Sequence, residues 1–291
     1  MSLRIVRSVA DLRAALEPAR RAGRRIGLVP TMGAFHDGHR SLMERAAATC
    51  DVVVVSLFVN PTQFGPSEDL SAYPRDEARD AAIAAGAGVD LLFAPPVEEV
   101  YPDGFATSVS VGGLTDGLEG AHRPGHFDGV ATVVAKLLNM VQPTVAFFGQ
   151  KDAQQALVIR RLVRDLNLPV RVEVCPTVRE ADGLAMSSRN AYLGAEDRAR
   201  AVGLSRALDA AAAAIAAGER DAERVAATGR AVLAEHGIEA EYFALVSEET
   251  LAPVATIDGG AVLLAVAARV GPARLIDNVL VTIPNGVPER A

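Results

Sequence analysis

The stretch Pro30-Thr31-Met32-Gly33-Ala34-Phe35-His36-Asp37-Gly38-His39 separates an apolar run from an amphipathic one. Ile26, Leu28 and Val29 before it read as a short buried strand. Leu42, Met43, Ala46 and Ala47 after it fall at helical spacing. The segment between is therefore expected to be a strand-to-helix turn, with Gly33 and Gly38 open to geometry that a β-carbon would hinder. Amide N–H groups at a helix start, reinforced by the helix dipole, favour a bound anion. Two imidazoles three residues apart add donors at the same place, so the stretch reads as a phosphate site. A His-x-x-His pair also occurs as a surface pair or as half of a metal site. Zinc would need two further ligands, and Cys50 and Cys175 form no Cys-x-x-Cys pair.

Apolar runs continue the strand–helix alternation. Asp51–Val59 is β-branched and unalternating, as in a parallel strand covered on both faces. Further strands are expected at Val89–Phe93, Val145–Phe148 and Val170–Val174, with a weaker edge strand at Thr107–Val111. Helices are expected at Tyr73–Ala87, from about Phe127 to Val141, and at Ala153–Leu166, with an irregular loop over Glu119–Phe127. This pattern predicts an α/β fold with a doubly wound parallel, Rossmann-like sheet. Ligands in such sheets lie beyond the carboxyl ends of the strands. After about Pro176 the pattern changes to a helix over Glu196–Ala217, a second over Ala222–Glu235, and strands at Tyr242–Val246, Ala261–Val270 and Leu275–Val281. The expected division is residues 1–177 as the Rossmann-like domain and 178–291 as a smaller α+β C-terminal domain.

Composition narrows the function classes. The chain has 291 residues, 50% hydrophobic and 22% charged, with a net charge of −7. That charge gives no bulk electrostatic case for nucleic acid or an anionic membrane. No apolar run approaches the roughly 20 residues of a membrane span, and Arg13, Glu17, Arg20 and Arg21 interrupt any signal-peptide pattern. Two unpaired-looking cysteines fit a reducing compartment. The expectation is a soluble cytoplasmic protein.

Lysine occurs only at Lys136 and Lys151; every other basic side chain, histidine aside, is arginine. Lys151 stands in Phe147-Phe148-Gly149-Gln150-Lys151-Asp152, a second strand-to-helix junction. There a lysine can reach a phosphate as a point charge and an aspartate can accept from a ribose hydroxyl. An N-cap Asp with an incidental lysine is the alternative. Asp182-Gly183-Leu184-Ala185-Met186-Ser187-Ser188-Arg189-Asn190 offers two hydroxyls and a guanidinium suited to a triphosphate, although such a pattern is also common in solvated loops.

These three segments, with Phe58–Phe64 and Arg123–Phe127, occur in the order and composition of the pantoate–β-alanine ligases, or pantothenate synthetases, which the chain closely resembles over nearly its whole length. The His-x-Gly-His and Met-Ser-Ser-Arg segments alone would indicate only the wider nucleotidyltransferase superfamily. The resemblance implies an ATP-dependent, AMP-forming ligase that condenses pantoate with β-alanine through pantoyl adenylate, with Mg2+ on the ATP phosphates and a homodimeric state. It implies that Met32, Gly33, Ala34, Phe35, His36, Asp37, Gly38 and His39 line the ATP site. Gly149, Gln150, Lys151, Asp152, Val178, Met186, Ser187, Ser188 and Arg189 are likewise implied for ATP. His36, His39, Lys151, Ser187, Ser188 and Arg189 are implied for catalysis, and Gln63 and Gln155 for pantoate, Gln63 also meeting β-alanine. His39 matches a position described as a proton donor. Adenylyl transfer from an ionised carboxylate needs no general acid, so transition-state stabilisation is the reading favoured here. Phe35 and Gln150 depart from the usual leucine and glutamate. Arg123 is open to either a pocket-guarding or a structural role. Two other readings stay open on sequence: a nucleotidyltransferase that stops at AMP transfer to a phosphate, and a non-catalytic nucleotide-binding protein.

Overall fold

A computed structural model describes residues 3–66 and 68–283 and divides the chain into two compact units, Met1–Val178 and Arg179–Ala291. The first unit is built on six parallel strands: β1 (Arg4–Val6), β2 (Ile26–Thr31), β3 (Val52–Leu57), β4 (Leu91–Phe93), β5 (Val145–Gly149) and β6 (Arg171–Cys175). Their order is β1-β4-β3-β2-β5-β6. Strand order reverses between β2 and β5, which pair through Gly27–Val145 and Leu28–Ala146. That pair is the topological switch point, where ligands of open α/β sheets bind.

Side-chain alternation explains why the sheet is covered twice. Val29, Val53, Val55 and Phe147 join Leu42, Met43 and Ala46 in one apolar layer. Leu28, Val54 and Ala146 are equally buried but are absent from that layer, as the two-residue period of a strand requires. The helices are α1 (Val9–Arg21), α2 (Asp37–Thr49), α3 (Glu77–Gly86), two single-turn helices, α4 (Val97–Val100) and α5 (Glu119–His122), then α6 (His126–Val141) and α7 (Ala153–Asp165). Helix α6 is buried nearly all round, as expected of a helix rich in Val and Leu on more than one face.

Three features of the first unit differ from the sequence reading. Thr107–Val111 forms no strand. The Val109 amide donates instead to Thr132 Oγ1 at 2.9 Å, so helix α6 satisfies a group that a sheet neighbour would otherwise take. Glu119–Phe127 is not wholly irregular, since α5 lies inside it and α6 starts at His126. A strand and helix ahead of Ile26, β1 and α1, complete the sheet edge. Ser8 caps α1 by accepting from the Asp11 amide at 3.0 Å, and Leu12, Leu16 and Ala19 are its buried stripe.

The second unit packs α8 (Ala195–Ala201), α9 (Gly203–Ala216) and α10 (Ala222–Glu235) with an antiparallel sheet of β7 (Ala240–Ser247), β8 (Gly260–Val270) and β9 (Ala273–Ile283). The single helix expected over Glu196–Ala217 is divided at Val202. Ser205 Oγ donates to the Val202 carbonyl at 3.0 Å, a back-bond that competes with regular helix geometry. Among the described residues no helix is long and apolar enough to cross a membrane.

Candidate active site

The turn after β2 is held by a residue far away in sequence. Asp80, on α3 and 1% exposed, accepts from the Ala34 amide at 2.9 Å and the Phe35 amide at 2.8 Å. Burial pushes its carboxyl up from the usual aspartate range, and the two amides pull it back. Gly33 adopts φ +97°, and a β-carbon there would lie 2.8 Å from Leu57 Cδ1. Ala34 takes φ +52°, a left-handed conformation costing about 1 kcal/mol in an L-residue. The two amide bonds to Asp80 offset that cost. Sequence reading gave no signal for Asp80, because an acidic residue on a helix looks like solvated surface.

The same turn sets the tautomers of both histidines. The Gly38 amide donates to His36 Nδ1 at 3.1 Å, and the His36 amide donates to His39 Nδ1 at 3.4 Å, a reciprocal cap at the start of α2. Each Nδ1 is an acceptor, so each neutral ring bears its proton on Nε2. The rings lie 4.2 Å apart by centroid, and Phe35, 1% exposed, packs against His39 at 5.4 Å. Phe35 thus has a packing role its residue type alone did not disclose. Burial, then His36 and finally Lys151 push the His39 imidazole down to about 3, with Asp152 opposing. His39 is therefore neutral at physiological pH, and the Gly149–Asp152 junction is close enough to act on it.

That second junction follows β5 at the other side of the switch point, as a 3-10 turn over Gln150–Asp152 leading into α7. Lys151 Nζ lies 3.6 Å from Asp152 Oδ1, with its side chain 20% exposed. Gln155 is half-buried in the first turn of α7. Its neighbour Gln154 is structural, accepting from the Glu119 amide and donating to the Leu114 and Gly117 carbonyls. Val178 lies three residues past β6 at the same end of the sheet.

Gln63 closes a 3-10 turn after β3 and is 9% exposed. Its Oε1 accepts from Asn60 Nδ2 at 3.0 Å, and its Nε2 rests on Met32 Sδ at 3.3 Å. Gln63 is thus brought to the first motif. Asn60 is a second residue whose importance the sequence did not signal; it also donates to the Gly129 carbonyl and accepts from Tyr101. A β-carbon on Gly129 would lie 2.4 Å from the Thr62 carbonyl oxygen, so only glycine lets α6 approach the turn this closely.

Met186, Ser187, Ser188 and Arg189 belong to the second unit. Ser187 Oγ accepts from the Arg189 amide at 3.3 Å and caps the 3-10 turn Ser188–Tyr192. Asn190 Nδ2 donates to Glu180 Oε1 at 2.8 Å. Arg198 ties Glu180 to Asp182, with contacts of 2.7 Å to each. Asp182 and Asn190 therefore shape this loop from either end.

Two histidines whose rings are held below the ordinary imidazole range make stability depend on acidity. Burial and Arg123 hold the His126 ring down at about 4, against an ordinary 6.5. Between those values the unfolded chain binds a proton that the folded chain refuses, so stability falls as pH drops from 6.5 to 4. The loss is roughly 3 kcal/mol for His126, and His39 adds to it. Urea unfolding at pH 7 and pH 4.5 should show this loss, and equal unfolding free energies would contradict it.

Comparison with known proteins agrees with the fold described above. The family model described as pantoate-beta-alanine ligase matches residues 4–280. A pantothenate synthetase of Cereibacter sphaeroides is 55% identical over 275 residues, covering 94% of this chain and 98% of the relative. The crystal structure of pantothenate synthetase from Thermus thermophilus superposes with a TM-score of 0.90 at 52% identity, over 95% of this chain and 98% of that one. A pantoate-beta-alanine ligase from Francisella tularensis, complexed with beta-gamma ATP and beta-alanine, gives a TM-score of 0.79 at 33% identity, covering 96% and 98%. With the family model spanning nearly the whole chain and identity above half over its length, the chain belongs to the pantoate–β-alanine ligase family.

Proposed function

We propose that the chain performs the family's two-step condensation with its nucleotide seated at the switch point between β2 and β5. The observation that carries this reading is the His36–His39 pair, with both Nδ1 atoms occupied by backbone amides and Lys151 acting on the same place. On this reading two Nε2–H donors and an ammonium serve one anion, without the lysine-bearing loop of the P-loop NTPases.

In the first step a pantoate carboxylate oxygen attacks the α-phosphorus of ATP. The bond to the bridging oxygen breaks and pyrophosphate leaves with the electron pair. Charge moves onto pyrophosphate, where the two imidazoles and Lys151 stabilise it. A neutral imidazole does not surrender its last proton at this pH, so His39 acts by hydrogen bonding and not as a general acid. Asp152 is assigned to the ribose hydroxyls, the Val178 backbone to adenine, and Gln63 and Gln155 to pantoate, whose hydroxyls and carboxylate suit an amide's donor and acceptor. In the second step the β-alanine amine attacks the acyl carbon, a C–N bond forms, and AMP departs. Met186, Ser187, Ser188 and Arg189 are assigned to the phosphates, with the C-terminal domain (178–291) closing over the ATP site and excluding water from the mixed anhydride.

Among the described residues no group of three or more His, Cys, Asp or Glu side chains could hold a metal. Mg2+ is assigned to the ATP phosphates, where it would neutralise charge. A homodimer and a cytoplasmic location complete the proposal.

Supplying ATP, Mg2+ and pantoate should release pyrophosphate, and adding β-alanine should then sustain AMP formation. No AMP from the complete mixture would refute the reading. Gln63→Ala should raise the pantoate KM at least about tenfold, the scale of a lost buried hydrogen bond, while the ATP KM stays within about twofold. An unchanged pantoate KM would refute the assignment of Gln63.

A further inference from the structure

The Arg123–Phe127 stretch has no part in the chemistry above, yet it is joined to the residue assigned to pantoate. His126, 8% exposed at the first position of α6, places Nδ1 2.9 Å from the Gln63 carbonyl oxygen and Nε2 3.0 Å from Arg123 Nη1. A guanidinium only donates, so Nε2 is the acceptor and the ring proton is on Nδ1, donated to Gln63. Arg123 is fixed in turn by Glu68, through two parallel 2.7 Å bonds from Nε and Nη2 to the two carboxylate oxygens. Glu68 lies five residues beyond Gln63, so the ion pair clamps the far end of the loop whose near end is the Gln63 turn.

We propose that His126 is a positioning residue for Gln63 and hence for pantoate selectivity, its tautomer set by the Arg123–Glu68 pair. The inference rests on the assignment of Gln63 to pantoate. The Gly129 approach, the Asn60 side chain and the His126 N–H hold the turn from outside it. Of these three, the His126 contact is the one that reaches the Gln63 main chain, at its carbonyl. The Gln63 side-chain amide then rests on Met32 Sδ, a weak acceptor that a substrate hydroxyl or carboxylate would displace. Arg123, Glu68 and Glu119 are the charged groups that act on the ring. Burial and Arg123 hold it neutral, against the Gln63 carbonyl and the two glutamates, so the tautomer is kept over the working pH range.

The test compares His126→Ala, His126→Asn and His126→Gln, each alone and combined with Gln63→Ala, by KM for pantoate and for ATP. Asparagine places an amide N–H near the Nδ1 position, whereas glutamine reaches only the Nε2 position. Alanine and glutamine should raise the pantoate KM about tenfold with the ATP KM within about twofold, asparagine should stay within about threefold of the parent, and none should add to Gln63→Ala. Glu68→Ala, outside any helix or strand, should raise the pantoate KM about threefold and supplies the readout if His126→Ala fails to fold. Equal losses for asparagine and glutamine, an ATP KM that rises in step, or additivity with Gln63→Ala would overturn the proposal. If Gln63→Ala alone leaves the pantoate KM unchanged, the assignment of Gln63 falls first and takes this inference with it. If only the His126 and Glu68 variants are silent, the inference alone falls.

Discussion

Lys151→Ala is expected to slow adenylate formation by about 10²–10³-fold, the typical loss when one preorganised electrostatic contact to a developing anion is removed. The side chain sits on a short 3-10 turn and is 20% exposed, with Asp152 as its near ion-pair partner. The residue lies on that turn and not in the apolar layer under the sheet, so melting behaviour should be little changed. Lys151→Arg should not rescue the rate. A guanidinium is longer and planar, and the site beside His39 is set up for a compact charge. The same substitution with alanine should raise the His39 pKa, because Lys151 is one of the groups that lower it. Pantoate-dependent exchange of pyrophosphate into ATP reads the first effect, and NMR titration of the imidazole reads the second. Exchange near the parent rate in Lys151→Ala would remove the ammonium from the mechanism.

His39→Ala should cost a similar 10²–10³-fold, and its pH dependence separates two mechanisms. An acid with an ordinary imidazole pKa would lose activity as pH rises through 6.5. A neutral donor whose pKa lies at about 3 contributes equally at pH 5.5 and pH 8. The exchange rate at saturating substrate should therefore show no fall near pH 6.5 that depends on His39. A fall present in the parent and absent from His39→Asn would establish proton donation instead.

Those residues could be found in the sequence because their signals are local. A short apolar run, a glycine-bearing turn and an amphipathic helix are adjacent along the chain at both Pro30–His39 and Phe147–Gln155, and a parallel sheet fixes where such turns gather. The same holds for α10, whose bounds follow from helical spacing and an Asp221 cap. What sequence did not disclose is held in place by distant partners. Asp80 supports the His turn from 45 and 46 residues away, and His126 supports Gln63 from 63 residues away. Neither contact leaves a periodic trace. The edge strand expected at Thr107–Val111 failed for a related reason, since weak alternation cannot show that a helix side chain, Thr132, takes the amide. The missed helix α1 is different. Its Ser8 cap and Leu12–Leu16–Ala19 stripe are local signals, but its arginines and glutamate read equally as interruptions of a signal sequence.

The most direct measurement is a crystal structure of the protein with a non-hydrolysable ATP analogue and pantoate. It should place a phosphate oxygen within about 3.2 Å of His36 Nε2 or His39 Nε2 and the Lys151 ammonium on the same phosphate chain, with the pantoate carboxylate facing the α-phosphorus. A nucleotide bound away from the carboxyl ends of β2 and β5, or imidazoles that meet no phosphate, would contradict it.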